Sequence, residues 1–152
     1  MTTAYDVMTE DPATISVRGT VGEAARLLQA LDVRHLPVVD DDGALVGMLS
    51  DRDLGGLSFP ELIGEEYLGS IQTALDAPVS SVMSSDVVAV EVEDDVSLII
   101  ELMLDRKIGA VPVVDSEDTL VGIVSYVDLL RQLLPEEPAQ REQDRTPRPH
   151  RN

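Results

Sequence analysis

The residue types best suited to chemistry occur in two Ser-x-x-Asp tetrapeptides, Ser50 with Asp53 and Ser125 with Asp128. At a helix start, such a Ser and Asp can cap first-turn amides, and the Asp complements the positive end of the helix dipole. The same geometry suits a ligand, because a helix N-terminus with a hydroxyl attracts anions and a free carboxylate can accept both hydroxyls of a ribose. A single tetrapeptide favours the cap, and both interpretations stay open.

The remaining reactive residue types form no catalytic constellation. The two histidines are His35 and His150, there is no cysteine, and no glycine-rich phosphate loop is present. His35 is expected to be a packed strand residue rather than a ligand contact. The run 40–43, Asp-Asp-Asp-Gly, lacks the spaced ligands of a calcium loop and predicts a hairpin turn. These residues predict no enzyme, no catalytic cofactor and no metal site.

The charge balance narrows the range of partners. With 11 Lys and Arg against 29 Asp and Glu, the formal net charge is −18. A nucleic-acid-binding protein usually presents a basic stripe, because phosphate contacts supply most of its affinity. An anionic membrane surface would also repel this chain. No stretch approaches the roughly 18 apolar residues of a membrane span, and no signal peptide is evident. We therefore expect a cytoplasmic protein that binds neither nucleic acid nor membrane.

The chain contains an internal duplication with a 75-residue offset. Residues 7–54, which we call copy 1, align without a gap with residues 82–129, copy 2, and 16 of the 48 positions are identical. The identities include Pro37 with Pro112 and Gly47 with Gly122, as well as the Ser and Asp of the tetrapeptides. Chance similarity of two apolar segments would not keep Pro, Gly, Ser and Asp in one register.

Each copy is predicted to fold as β-α-β-β-α, which makes the fold class α/β (α+β). Alternation over 14–17 and short apolar runs bounded by turn residues predict the strands of copy 1, which copy 2 repeats. Helical spacing behind Thr20 (with Glu23 as a capping box) and behind Asp95 predicts helices. The predicted strands are 14–17, 35–39, 45–49, 87–92, 110–114 and 120–124, with further helices from Ser50 and Ser125. A unit of about 48 residues is near the limit of independent folding, so we expect the sheets to pack around a pseudo-twofold axis.

Composition divides the chain into four segments. Residues 1–54 and 82–134 contain the two motifs, and residues 55–81 form a linker with a helix predicted from its apolar spacing. Residues 135–152 hold four prolines and four arginines with almost nothing apolar, which is typical of a disordered tail.

Both copies resemble a CBS motif. Copy 1 has Val-Met-Thr, a predicted helix, His-Leu-Pro-Val-Val-Asp and Leu-Val-Gly-Met-Leu-Ser-Asp-Arg-Asp-Leu. Copy 2 has Val-Met-Ser, Ile-Gly-Ala-Val-Pro-Val-Val-Asp and Leu-Val-Gly-Ile-Val-Ser-Tyr-Val-Asp-Leu. Together they are similar to a stand-alone CBS pair, or Bateman module, over residues 1–134.

The resemblance implies two clefts between the motifs that bind an adenosyl ligand: AMP, ADP, ATP or S-adenosylmethionine. Asp53 and Asp128 would hold ribose hydroxyls, and Ser50 and Ser125 would meet ribose or phosphate oxygens. Cleft A is expected to comprise Ser50, Arg52, Asp53, Ser84, Ala89, Ile108, Gly109 and Pro112. Cleft B is expected to comprise Thr9, Thr14, Val33, Arg34, Pro37, Ser125 and Asp128.

Phosphate binding by so acidic a chain requires local cations. The basic residues near the expected clefts are Arg34, Arg52, Arg106 and Lys107, and each could equally be ordinary surface charge. Arg52 is matched by Val127 in copy 2, and Arg34 by Gly109, so the two clefts are not expected to be equivalent. Tyr126 could stack on a base or simply face solvent.

The leading hypothesis is a regulatory, non-enzymatic sensor that binds an adenosine nucleotide or S-adenosylmethionine and signals to an unidentified protein by a conformational change. The alternative is a ligand-independent, homodimeric interaction scaffold with vestigial clefts, since CBS pairs typically dimerise into a disc.

Overall fold

The computed structural model describes residues 1–58 and 68–135, which form two sheets flanked by helices. In chain order the elements are α1 (Ala4–Val7), β1 (Thr9–Glu10), β2 (Ile15–Ser16), α2 (Val21–Leu31), β3 (His35–Val39), β4 (Leu45–Ser50), a 3-10 helix (Asp51–Ser58), α3 (Leu68–Asp76), a 3-10 helix (Val79–Ser81), β5 (Val90–Glu91), α4 (Val96–Arg106), β6 (Ala110–Val114), β7 (Leu120–Ser125) and α5 (Tyr126–Gln132). The mixed α/β fold is confirmed.

Each copy builds the centre of its own sheet. In copy 1, β3 pairs with β2 in parallel and with β4 antiparallel; in copy 2, β6 makes the same pairings with β5 and β7. The turn between β3 and β4 is a hairpin, in which the Asp40 carboxylate accepts hydrogen bonds from the backbone of Asp42 and Ala44 at 2.9 Å. Asp115 repeats this arrangement in copy 2. These Asx turns explain why the acidic run ends a strand.

The segment entering each copy belongs to the core of the other copy. Strand β1, from copy 1, adds to the edge of the copy 2 sheet, where Thr9 pairs with Ile123; the equivalent Ser84 bridges to Met48 of copy 1. Ala4 and its counterpart Val79 are fully buried, each in the apolar core of the opposite copy. This reciprocal exchange places the copies around a pseudo-twofold axis.

Close approach at the exchange requires glycine. A Cβ on Gly122 would collide with the thioether of Met8, and a Cβ on Gly47 would collide with that of Met83. Because Met8 and Met83 are equivalent residues, this packing explains why both copies have glycine after Leu-Val. Each glycine lets a methionine of the other copy cross the sheet.

The capped starts of α2 and α4 agree with the prediction, whereas the helix expected from Ser50 does not. Thr20 caps α2 by accepting from the Glu23 amide, and Asp95 caps α4 through Ser97. The helix expected from Ser50 is instead a 3-10 helix interrupted at Gly55, whose φ is 58°, whereas Ser125 begins an α-helix. The strand expected over 87–92 is limited to Val90–Glu91.

Part of the expected organisation lies outside the described residues. Helix α3 falls within the expected linker and packs against α2, with Leu75 beside Gly22. Residues 59–67 of that linker and residues 136–152 of the expected tail are not described, so disorder of the tail stays a prediction. No helix in the described ranges is both long and apolar enough to span a bilayer.

Candidate functional site

The first Ser-x-x-Asp lies where β4 passes into the 3-10 helix. The Asp53 carboxylate accepts hydrogen bonds from the Ser50 amide at 2.8 Å and from the Ser50 hydroxyl at 3.1 Å. Both bonds go to one oxygen, Oδ2, and Asp53 is exposed. Among the described residues, only Ser50 donates to Asp53. Its second oxygen is therefore accessible to hydroxyl groups of a ligand.

The second Ser-x-x-Asp is more fully engaged. Asp128 accepts the same two bonds from Ser125, at 2.8 and 3.1 Å, and its other oxygen accepts from the Thr9 hydroxyl at 3.2 Å. The Ser125 hydroxyl in turn accepts from the Asp128 amide at 3.3 Å, which completes a capping box. Asp128 is only 9% exposed. The carboxylate of copy 2 thus holds α5 and β1 together.

Cleft A has a volume of about 450 Å³, within the range of small-molecule sites. The structure brings together most of the residues predicted for it: Ser50, Arg52, Asp53, Ser84, Ile108, Gly109 and Pro112. Ala89 does not line the cleft, whereas Val87 and Val88 do. Val90 points into the core of copy 2, so the neighbouring Ala89 faces outward.

Cleft B is smaller, at about 340 Å³. Five predicted residues line it: Thr9, Val33, Arg34, Ser125 and Asp128. Thr14 and Pro37 do not. Pro12 and Ala13 form the wall that was expected from Thr14, which is the same displacement as in cleft A. Pro37 and its counterpart Pro112 are both fully buried, yet only Pro112 lines a cleft.

His35 was expected only to pack, but it lines both clefts. Its ring lies over Gly109, where a Cβ would come within 3.1 Å of the imidazole. Burial lowers the pKa of His35 below its ordinary value of 6.5; Arg34 acts in the same direction, and Asp51 and Asp53 oppose the shift. The neutral ring therefore forms a wall shared by the two clefts. The sequence contained a sign of this arrangement: the position equivalent to His35 in copy 2 is the small residue Ala110, which follows Gly109. Two small residues there leave space for the ring.

The sequence prediction also missed several charged residues in the clefts. Asp86 lies in cleft A and forms an ion pair with Arg106 at 3.3 Å, while Asp32 and Arg131 lie in cleft B. Arg106 and Lys107, noted earlier as basic residues near the clefts, line cleft A, and Tyr126 lines cleft B. In the part of the chain that the structure describes, no group of acidic and histidine side chains is arranged to hold a metal ion.

Two tandem motifs, exchanged at their entry segments and enclosing two clefts, define a paired-motif fold. The CBS domain family model matches residues 4–54 and 79–135, and the chain belongs to the CBS domain family.

Among curated proteins, the chain is 35% identical over 131 residues to the CBS domain-containing protein YhcV of Bacillus subtilis, covering 85% of this chain and 84% of the relative. Two other relatives are longer than this chain. The chain spans 32% of an uncharacterised 33.4 kDa protein of Thermofilum pendens and 23% of the inosine-5'-monophosphate dehydrogenase of Methanocaldococcus jannaschii.

Two similar solved structures contain adenosyl ligands. CBSX2 in complex with AMP is 30% identical, with a TM-score of 0.72 over 88% of this chain and 96% of that one. The CBS domain pair of protein MJ0100, in complex with 5'-methylthioadenosine and S-adenosyl-L-methionine, is 26% identical, with a TM-score of 0.71 over 88% and 96%.

Proposed function

We propose that this chain is a regulatory, non-catalytic module that binds adenosyl ligands in clefts A and B. The observation that carries the proposal is the Asp53 carboxylate, which is exposed within a cleft of ligand size and keeps one oxygen without a described donor. Ribose hydroxyls are suitable donors to such a carboxylate. Binding of AMP, S-adenosylmethionine and methylthioadenosine by similar CBS pairs supports the choice of ligand class.

The same clefts supply a mechanism for signalling. Cleft A takes Ser50 and Asp53 from copy 1 and its opposite wall, including Val87 and Ile108, from copy 2. A ligand held there contacts both copies at once and favours the relative orientation in which both sets of contacts form. A partner protein that distinguishes the two orientations would receive the signal.

Isothermal titration calorimetry with AMP, ATP and S-adenosylmethionine tests the proposal, and absence of binding for all three at millimolar concentration would refute it. Asp53→Ala is expected to weaken binding by about 1.5–3 kcal/mol, the worth of a charged hydrogen bond. Asp41→Ala is the matched control, because Asp41 is an exposed aspartate in the β3–β4 turn and pairs with Arg18. If Asp53→Ala lowers the melting temperature and leaves ligand affinity unchanged, Asp53 caps the helix and does not bind ribose.

A second candidate is a ligand-independent homodimeric scaffold, which the surface of α4 favours. Leu98, Ile100 and Leu104 on this helix are 40%, 42% and 72% exposed. The equivalent helix of copy 1, α2, packs against α3. Covering such apolar residues with a second copy would remove them from water. Light scattering of the wild type and of Leu104→Glu tests this: a ligand-free dimer that the substitution dissociates supports it, and a monomeric wild type rules it out.

A further inference from the structure

The basic residues of this acidic chain are concentrated at the clefts. Four of the 11 Lys and Arg residues fall in the region 141–151, which leaves seven in the described part. Five of those seven line a cleft: Arg52, Arg106 and Lys107 in cleft A, and Arg34 and Arg131 in cleft B. At physiological salt, charges more than about 8 Å away are largely screened, so a bound ligand responds mainly to the charges of its own cleft. Cleft A has three cations against Asp53 and Asp86, and cleft B has two cations against Asp32 and Asp128.

The duplication makes the difference between the clefts directly readable. The cleft A cations Arg52, Arg106 and Lys107 correspond to Val127, Leu31 and Asp32 in the other copy. At the last of these positions, a cation in one cleft is replaced by an anion in the other. Both Lys107 and Asp32 end a helix in the left-handed conformation, with φ of 55° and 51°, so the backbone places them equivalently.

Helix ends reinforce this difference. The C-terminus of an α-helix carries partial negative charge. At the end of α4, Arg106 and Lys107 offset that charge, whereas α2 has no basic residue in its last turn and Asp32 adds to it. The end of α4 beside cleft A therefore carries two cations, whereas the end of α2 beside cleft B carries the anion Asp32 next to the cation Arg34.

Cleft A also has an anion that a ligand could replace. Arg106 pairs with Asp86 through a single 3.3 Å contact, and the Asp86 side chain is 91% exposed. Such an exposed pair contributes little stability. A phosphate chain has more negative charge than one carboxylate, so Arg106 can exchange Asp86 for phosphate at small cost.

We infer that cleft A selects an adenosine di- or triphosphate, whereas cleft B accepts an adenosyl ligand with one phosphate or none. The inference rests on the proposed adenosyl function and deepens it by assigning different ligand classes to the two clefts. The chain would then compare two adenosyl species instead of measuring one.

Calorimetry of the full chain with adenosine, AMP, ADP and ATP tests the assignment. The wild type is expected to show one site whose affinity rises with phosphate number and one whose affinity does not. Lys107→Asp should weaken ATP binding at the first site by about tenfold, as expected for loss of a charged contact, and alter adenosine binding by a much smaller factor because adenosine has no phosphate. The reciprocal Asp32→Lys should strengthen ATP binding at the second site.

The outcomes separate this inference from the proposed function. If adenosine, AMP and ATP all fail to bind, the adenosyl function itself is wrong. If they bind with affinities that neither phosphate number nor Lys107→Asp alters, the adenosyl function stands and the assignment of the clefts is overturned. A melting temperature within a few degrees of wild type verifies that each variant is folded, and Lys107→Ala replaces Lys107→Asp if the latter is not.

Discussion

The two Ser-x-x-Asp tetrapeptides occupy equivalent positions yet have different surroundings. In copy 1, Asp53 bonds to Ser50 and is exposed in cleft A. In copy 2, Asp128 bonds also to Thr9 and is 9% exposed. The difference comes from outside the tetrapeptides, because Thr9 lies in a paired strand at the edge of the copy 2 sheet, whereas its counterpart Ser84 forms an isolated bridge. The same motif therefore bonds only within its own turn in copy 1, whereas in copy 2 it also ties the helix start to strand β1.

Removing each aspartate in turn tests this difference, and the largest expected effect is on the free energy of unfolding. Asp128→Ala removes the acceptor of three donor groups in a part-buried setting and should lower the free energy of unfolding by about 2–3 kcal/mol. Asp53→Ala leaves the Ser50 amide and hydroxyl without their acceptor, but water can reach both groups. The free energy of unfolding should therefore fall by under about 1 kcal/mol. Urea denaturation with an unchanged m value measures both. Equal losses would show that the two carboxylates have the same structural role.

Substitutions at the sheet crossing should affect both copies alike. Gly122→Ala forces Met8 out of its position, and Gly47→Ala does the same to Met83, so each should cost about 1–3 kcal/mol by overpacking. A double-mutant cycle with Met8→Ala gives the control, because removing the thioether should recover part of the loss at Gly122. If the losses of stability from Gly122→Ala and Met8→Ala simply add, the two residues are not in close contact.

The serine caps should differ by a smaller amount. Ser125 accepts the Asp128 amide and begins an α-helix, so Ser125→Ala should destabilise by about 1 kcal/mol. Ser50 precedes a 3-10 helix, and its hydroxyl is described only as a donor to Asp53, so Ser50→Ala should cost about half as much. Thermal unfolding of the two variants side by side makes this comparison. A greater loss at Ser50 would reverse the assignment.

The smallest expected effect concerns the wall that the clefts share. Because burial lowers the pKa of His35 in the fold, the unfolded chain binds the proton more readily. Stability attributable to His35 is therefore complete above about pH 6.5 and declines as the pH falls below that value. Urea titrations of the wild type and of His35→Gln at pH 8 and pH 5.5 isolate this component. His35→Gln should lose less stability between the two pH values than the wild type does.

Local pattern was sufficient to predict the centre of each copy. Short apolar runs bounded by turn residues, with the Asp40 turn between them, predicted β3 and β4, and the capping residues Thr20 and Asp95 predicted the starts of α2 and α4. Strand β1 was missed, because it has only two residues and its partner β7 lies more than 100 residues away in the chain. No local pattern encodes such a pairing.

The expected clefts depended on the same long-range contacts. Thr14 and Ala89 were placed one or two residues too far along, since the wall of each cleft is formed by the segment before the short strand. The α-helix expected from Ser50 is a 3-10 helix, which is kinked at Gly55. His35 is a packed strand residue as expected, but its position between the clefts was not foreseen, because its space is created by Gly109, a residue of the other copy.

The reciprocal burial of Ala4 and Val79 has a consequence for how the chain can be divided. Neither copy is a separable domain, since cutting between them leaves each sheet without the apolar segment that closes its core. A polypeptide containing only one copy could complete its core by associating with a second identical chain. The chain thus resembles a permanent homodimer whose halves have been joined, in which the two halves can carry different side chains at equivalent cleft positions.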